Sequence, residues 1–144
     1  MVNKIGINEL ESFNELGLLV NSNFSNIYKL EDIIDSQFDD VYGYYVNNRL
    51  VAFIHINKLY ENMDIVNVVV DFDFRNKGIA GLLIEYVIDS FSDVESILLE
   101  VNENNIAAIS LYKKYGFEVI SKRKKYYGNA DALIMKRVGK NEGC

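Results

Sequence analysis

Residues 65–81 read Ile65-Val66-Asn67-Val68-Val69-Val70-Asp71-Phe72-Asp73-Phe74-Arg75-Asn76-Lys77-Gly78-Ile79-Ala80-Gly81. The β-branched run that opens this stretch favours a buried strand, placed over 63–72. After a polar loop, Ile79, Leu82, Leu83, Tyr86 and Val87 recur at helical spacing and predict an amphipathic helix over 78–91. A strand therefore feeds a helix through a glycine loop. The free amides at such a helix start, with the helix dipole behind them, form an anion site. Gly78 lets the backbone approach a phosphate closely, and Arg75 and Lys77 add charge. A plain strand-to-helix turn would carry the same glycine. The loop lacks the Gly-Lys-Ser/Thr ending of a Walker loop, and it is not Gly-x-Gly-x-x-Gly.

Downstream, Ser96-Ile97-Leu98-Leu99-Glu100-Val101 reads as a second buried strand, and residues 105–115 as a helix stopped by Gly116 at the C′ position. Glu100 is either a desolvated carboxylate, with a pKa raised toward the range of a general base, or a solvated residue on a strand that has surfaced. Asn105 starts the helix, where its side chain can simply cap it. Tyr112 follows seven residues later, almost two turns on, and so shares the Asn105 face. Its hydroxyl can donate a proton, or the ring can be a core aromatic with a bonded hydroxyl. Two strands near 117–127 and 130–138, joined through Gly128-Asn129, complete the chain.

Upstream, Leu10, Phe13, Leu16 and Leu19 predict a helix over 8–20, and Ile27, Leu30, Ile33 and Ile34 a second over 26–37. Val41–Val46 and Leu50–Leu59 read as a hairpin about Asn47-Asn48, since Asn tolerates positive φ. The order is α, α, β, β, β, α, β, α, β, β. A β-α-β-α centre flanked by antiparallel pairs implies a mixed α/β (α+β) sheet covered by helices.

Composition narrows the function. With 144 residues the chain is of one-domain length, 1–144. Apolar residues at 49% and charged ones at 25% exclude wholesale disorder. Fifteen basic against 21 acidic residues, a net charge of −6, disfavour general nucleic-acid binding. One Cys (Cys144, on a polar tail read as disordered) and one His (His55) exclude an internal disulfide, a Cys-based metal site and a multi-His centre, so no metal is expected. No apolar run reaches the ~18 residues of a membrane span. There is no hydrophobic signal core at Met1–Gly6 either, so a cytoplasmic location is expected. The absence of proline reads as genome composition bias.

Two segments carry a family resemblance. Arg75-x-x-Gly78-x-Ala80 resembles the Arg/Gln-x-x-Gly-x-Gly/Ala pyrophosphate loop of the GCN5-related N-acetyltransferase (GNAT) superfamily. Asn105-x-x-Ala108-x-x-Leu111-Tyr112-x-x-x-Gly116-Phe117 resembles its second acetyl-CoA motif. Leu99-Glu100-Val101, Arg123-Lys124-Lys125-Tyr126-Tyr127 and Asp131-Ala132-Leu133-Ile134-Met135 are further similar to the RimI subfamily, as is Asn67–Phe74. Enzymes of that subfamily acetylate the N-terminal alanine of a small-subunit ribosomal protein.

The resemblance implies a GNAT fold: a mixed, mostly antiparallel sheet of about six to seven strands, helices on both faces and a central β-α-β-α acetyl-CoA unit. It implies acetyl-CoA as co-substrate and a protein or peptide N-terminus, with a ribosomal protein as candidate, as acceptor. An α-amine (pKa about 8) loses its proton more readily than a lysine (about 10.4). The implied roles are Glu100 as base, directly or through water, and Tyr112, 12 residues on, as acid toward the leaving thiolate. Amides around Val68, Val69 and Val70 would hold the cofactor and polarise the acetyl carbonyl. Amides from Arg75, Asn76, Lys77, Gly78, Ile79, Ala80 and Gly81 would bind the pyrophosphate. Asn105 and Ala108 belong to the cofactor motif. Phe24, Tyr126 and Tyr127 would border the acceptor.

The chain departs from the subfamily where it has Phe24-Ser25-Asn26 in place of a Pro-Trp, and in a shorter loop between Tyr127 and Asp131. Both regions border the acceptor in the family. An acetyltransferase for a small amine therefore remains a competing function; a catalytically silent acetyl-CoA-binding regulator is a third, against which Glu100 and Tyr112 speak. Four features read as structural: His55 as a strand residue, Glu103 as solvated, Lys122–Lys125 as a solvated edge strand, and Glu31, Asp32, Asp35, Asp39 and Asp40 as a solvated acidic face.

Overall fold

In the computed structural model, which describes residues 1–127 and 129–139 without the side chains of Lys125, Tyr126 and Tyr127, seven strands form one sheet. The elements run β1 (Val2–Lys4), α1 (Leu10–Gly17), α2 (Phe24–Ile27), α3 (Leu30–Asp35), β2 (Asp39–Val46), β3 (Arg49–Leu59), β4 (Asn62–Val70), α4 (Ile79–Ser90), β5 (Ser96–Asn102), α5 (Ile106–Lys114), β6 (Glu118–Tyr127) and β7 (Ala130–Val138). The sheet order is β1-β2-β3-β4-β5-β7-β6. β4 and β5 pair in parallel, while β1–β2, β2–β3, β5–β7 and β6–β7 are antiparallel. This is the mixed, mostly antiparallel sheet expected. Its seventh strand, β1, was not foreseen: three residues are too few for alternation to be read.

The hairpin turn falls where the sequence places it. Val46 pairs with Arg49, and Asn47 and Asn48 both take positive φ, 50° and 65°. Both central residues of a two-residue hairpin must do so when the turn follows the strand twist.

The helices differ in detail. The helix expected over 26–37 is broken at Tyr28 and Lys29, both extended. On one continuous helix Phe24 and Leu30 would lie about 120° apart; the break lets both be fully buried. α1 stops at Gly17, so Leu19 is exposed rather than part of the apolar face. On α4 the buried stripe is Ile79, Leu83, Ile84 and Val87, whereas Leu82 and Tyr86 are exposed. The Tyr86 ring packs 5.1 Å from that of Tyr42.

The chain gathers into two compact units, Met1–Asn57 with Asn67–Ser90, and Lys58–Val66 with Phe91 onward. In the first, Leu50 to Ile56 of β3 are all buried, as in a strand covered on both faces. Phe13, Phe24 and Phe53 cluster there, with ring centroids 4.6–6.1 Å apart. Ile5, Leu16, Leu30, Ile33, Val41, Leu50 and Val69 complete this core. In the second, Ile97, Leu99 and Val101 alternate inward from β5, with Met63, Phe117, Ala132 and Met135 also buried.

His55 is a buried member of the first unit, and so a packed strand residue as expected. Asp39, read as part of a solvated face, is instead its partner. Nε2 of His55 lies 2.8 Å from Oδ1 of Asp39. A carboxylate only accepts, so Nε2 carries the proton, and Nδ1 is buried without a partner. Burial holds His55 below its usual pKa, against the opposing pull of Asp39 and Asp40. Burial alone would raise Asp39, but hydrogen bonds from Ser36, His55 and Asn57 outweigh it and hold the carboxyl below its usual value.

Both shifts act in the same direction on stability. A histidine lowered in the fold stabilises it fully above the unfolded value of about 6.5, and that contribution is lost as the pH falls toward the native value. A lowered aspartate loses its contribution below about 3.9. Stability is expected to be level near pH 7–8 and to decline below about pH 6.5. In urea unfolding, His55→Gln should remove the slope just below pH 6.5; a variant that keeps the wild-type slope contradicts this reading.

Candidate active site

The first unit carries the loop. β4 ends at Val70, two residues short of the expected end, because Asp71 opens a tight turn. Its carboxylate accepts the Asp73 N–H at 3.0 Å, and the Phe74 N–H donates to the Asp71 carbonyl at 2.9 Å. Arg75 Nε donates to the Val70 carbonyl at 3.1 Å, so the loop is tied back to the strand that feeds it. The Arg75 guanidinium lies 5.4 Å over the exposed Phe72 ring. Asn76 and Gly78 both adopt positive φ, 62° and 80°. The first i→i−4 bond of α4 runs from Leu82 to Gly78. The amides of Ile79, Ala80 and Gly81 thus form the opening turn, with Lys77 beside it, as an anion site requires. Val68 and Val70 are half-buried and Val69 is buried. The paired part of β4 against β5 covers only Asn62–Asp64 with Ser96–Leu98, so all three valines lie beyond that ladder.

The second unit carries the carboxylate and the tyrosine. Glu100 pairs with Ile134 in the register of β5 and β7. It points away from the face of Leu99 and Val101 and is exposed, as the two-residue period of a strand dictates. The desolvated carboxylate of the first reading is not found here. Instead Glu100 is ion-paired with Arg123 at 3.0 Å.

Asn105 caps α5: its Oδ1 accepts the Ala108 N–H at 3.2 Å. Ala108 is thereby bonded to Asn105 itself. At the other end of α5 the Gly116 N–H donates to the Lys113 carbonyl (3.1 Å), and the Phe117 N–H to that of Tyr112 (3.0 Å). Gly116 takes φ 92°. This is a Schellman cap. Its usual hydrophobic contact is the Tyr112 ring against Phe117, 5.9 Å apart. The spacing Tyr112-x-x-x-Gly116-Phe117 is thus a positioning device: it fixes the half-buried Tyr112 ring relative to the helix end. Gly116→Ala is expected to cost about 1–2 kcal/mol through its left-handed backbone, measured by urea unfolding. An unchanged midpoint would contradict the cap.

Glu103 is not simply solvated. Its N–H donates to the Asp131 carbonyl (3.0 Å), and its carboxylate accepts the Asp131 N–H (2.8 Å). Lys122 and Arg123 lie on the edge strand foreseen, but they are held by Glu103, Asp131 and Glu100 rather than free in solvent. Phe24 is fully buried among Phe13, Tyr28 and Phe53. It can act on an acceptor only by shaping the segment around it. The side chains of Tyr126 and Tyr127, and Gly128 and Cys144, lie outside the described residues. Motif reading passed over Asp71, whose Asx turn was signalled by Asp71-Phe72-Asp73, and Arg123 as the partner of Glu100.

Residues 10–117 match the sequence profile of the acetyltransferase (GNAT) family. This chain belongs to the GNAT family. The GNAT chain is 35% identical over 95 residues to the ribosomal protein bS18-alanine N-acetyltransferase of Salmonella typhimurium, a match covering 62% of this chain and 64% of that relative. The fold of the GNAT chain agrees with the crystal structure of the Escherichia coli ribosomal-protein-S18-alanine N-acetyltransferase (TM-score 0.85, 23% identity, 98% and 97% of the two chains). It also agrees with an Elizabethkingia anophelis GNAT acetyltransferase solved with acetyl-CoA bound (TM-score 0.79, 19% identity, 96% and 97%). No helix among the described residues is long and apolar enough to cross a membrane.

Proposed function

We propose that this protein is an N-acetyltransferase that moves the acetyl group of acetyl-CoA to a primary amine, the N-terminal α-amine of a protein or peptide. The observation that carries this reading is the 35% identity to a bS18-alanine N-acetyltransferase over 95 residues. The residues fit the co-substrate: α4 opens behind two left-handed residues with Arg75 and Lys77 alongside, an arrangement suited to a pyrophosphate. Acetyl-CoA supplies the activated thioester. Amides of Val68–Val70 orient its acetyl carbonyl, and amides of Arg75–Gly81 hold its phosphates.

Glu100 takes a proton from the incoming ammonium, directly or through water. The freed nitrogen forms the new C–N bond as the C–S bond breaks, and it sheds its second proton to solvent, from which Tyr112 is later reprotonated. The Tyr112 hydroxyl gives its proton to the departing thiolate. Arg123, 3.0 Å from Glu100, keeps the carboxylate in place. Asn105 and Ala108 order the start of the helix that carries Tyr112. Phe24 shapes the acceptor side from within the core.

A small-amine acceptor is the second reading, favoured by Phe24-Ser25-Asn26 in place of Pro-Trp. The test is acceptor-dependent release of CoA from acetyl-CoA. A peptide with a free N-terminal alanine should support release. Acetyl-CoA binding with no release on any amine would leave only the regulator.

A further inference from the structure

Arg49 belongs to neither acetyl-CoA motif. It opens β3, 22 residues before Asp71 in the chain, yet its guanidinium reaches the Asp71 carboxylate at 2.9 Å. Its Cζ also lies 5.7 Å over the Phe74 ring. The same ring carries Lys77, whose Nζ is 5.5 Å from its centroid. One side chain therefore grips both ends of the 71–74 turn, from which the phosphate loop hangs.

The rest of the turn is anchored to the same strand, since the Asp71 N–H donates to the Val51 carbonyl at 2.8 Å. Asp71 meets Arg49 through Oδ2 while its Oδ1 caps Asp73. The carboxylate thus links the β2–β3 hairpin to the turn's own backbone. The loop needs such an anchor. Asn76 and Gly78, residue types that tolerate positive φ, both adopt it, so the loop's own backbone does not fix its direction. The Arg49 charge is spent on Asp71, so its action on a bound phosphate passes through the loop.

We propose that Arg49 is a positioning residue for acetyl-CoA binding, a role that rests on the acetyl-CoA reading above. Through Asp71 and Phe74 it sets the height and direction of Arg75–Gly78. An exposed ion pair of this kind adds little to global stability, so its effect falls on cofactor affinity.

The test compares the full-length wild type with Arg49→Gln, Asp71→Asn and the double variant. Each is measured for acetyl-CoA affinity, KM, kcat and thermal midpoint. Asn at 71 can still cap Asp73 and lacks only the charge that holds Arg49. Arg49→Gln should raise the Kd and KM for acetyl-CoA about three- to tenfold, with kcat and midpoint nearly unchanged. Asp71→Asn should match it, and the double variant should be no weaker than either. Arg49→Lys should recover part of the loss, since it restores the charge without the planar fork.

Equal losses for acetyl-CoA and its 3′-dephospho form are expected. A loss confined to the 3′-phosphorylated form would make Arg49 a direct phosphate ligand and overturn the proposal. So would additive losses, or unchanged affinity in Arg49→Gln while the wild type binds. A wild type that does not bind acetyl-CoA would overturn the functional reading as well, and that outcome is seen before any variant is made.

Discussion

Glu100→Gln and Tyr112→Phe should each lower turnover about 10²–10⁴-fold, the range for a positioned base or acid, with acetyl-CoA affinity largely kept. The two substitutions isolate chemistry from structure. Glu100 is exposed on β5, and its partner Arg123 is itself largely solvent-facing. Replacing the carboxylate by an amide of equal shape leaves no buried charge behind. Tyr112→Phe keeps the ring that packs on Phe117, and the Tyr112 carbonyl still accepts the Phe117 N–H. Only the hydroxyl is lost. Steady-state CoA release gives kcat, and equilibrium binding of acetyl-CoA gives the affinity. Normal turnover in both variants would remove Glu100 and Tyr112 from the mechanism. A loss of affinity equal to the loss of rate would move them to cofactor binding.

Phe24→Ala should destabilise the protein by about 3–5 kcal/mol, as removal of a buried phenyl ring does. The ring is fully buried and lies 5.3, 4.9 and 6.1 Å from those of Phe13, Tyr28 and Phe53. That is a large share of the roughly 5–15 kcal/mol by which a domain is stable. Phe24→Leu keeps most of the volume and should cost less, which provides a folded variant for kinetics. Urea midpoints read both. Wild-type stability in Phe24→Ala, with a higher KM for the acceptor alone, would make Phe24 a substrate contact instead of a core residue.

The elements with strong local signals were legible from the residues. Asn47-Asn48 demanded a positive-φ hairpin turn, and Gly116 a left-handed helix stop. β1 was not legible, because three residues gain strand geometry only by pairing with Tyr42–Tyr44. Nor was the break at Tyr28-Lys29: helical periodicity records apolar spacing, not the need to turn Phe24 and Leu30 toward one core. On α4, Leu82 and Leu83 are chemically alike, and tertiary packing selects Leu83 for burial.

At the candidate site, Asn105 and Gly116 proclaim local backbone roles, which a sequence can show. The partners of Glu100, Asp71 and His55 come from other strands, and no spacing rule reaches across 16 to 23 residues to find them. The exposure of Glu100 was legible: a solvated carboxylate on a surfaced strand was the reading its residue type favours, and alternation turns it away from Leu99 and Val101.

The most direct measurement is mass spectrometry of the products formed from acetyl-CoA with three acceptors: a basic peptide with a free N-terminal alanine, the same peptide blocked at its N-terminus, and a pool of small amines. Transfer of one acetyl group to the free α-amine, with the blocked peptide unmodified, is the expected result. A modified small amine with both peptides untouched would contradict a peptide-directed enzyme. No transfer to any acceptor, with acetyl-CoA bound, would contradict catalysis itself.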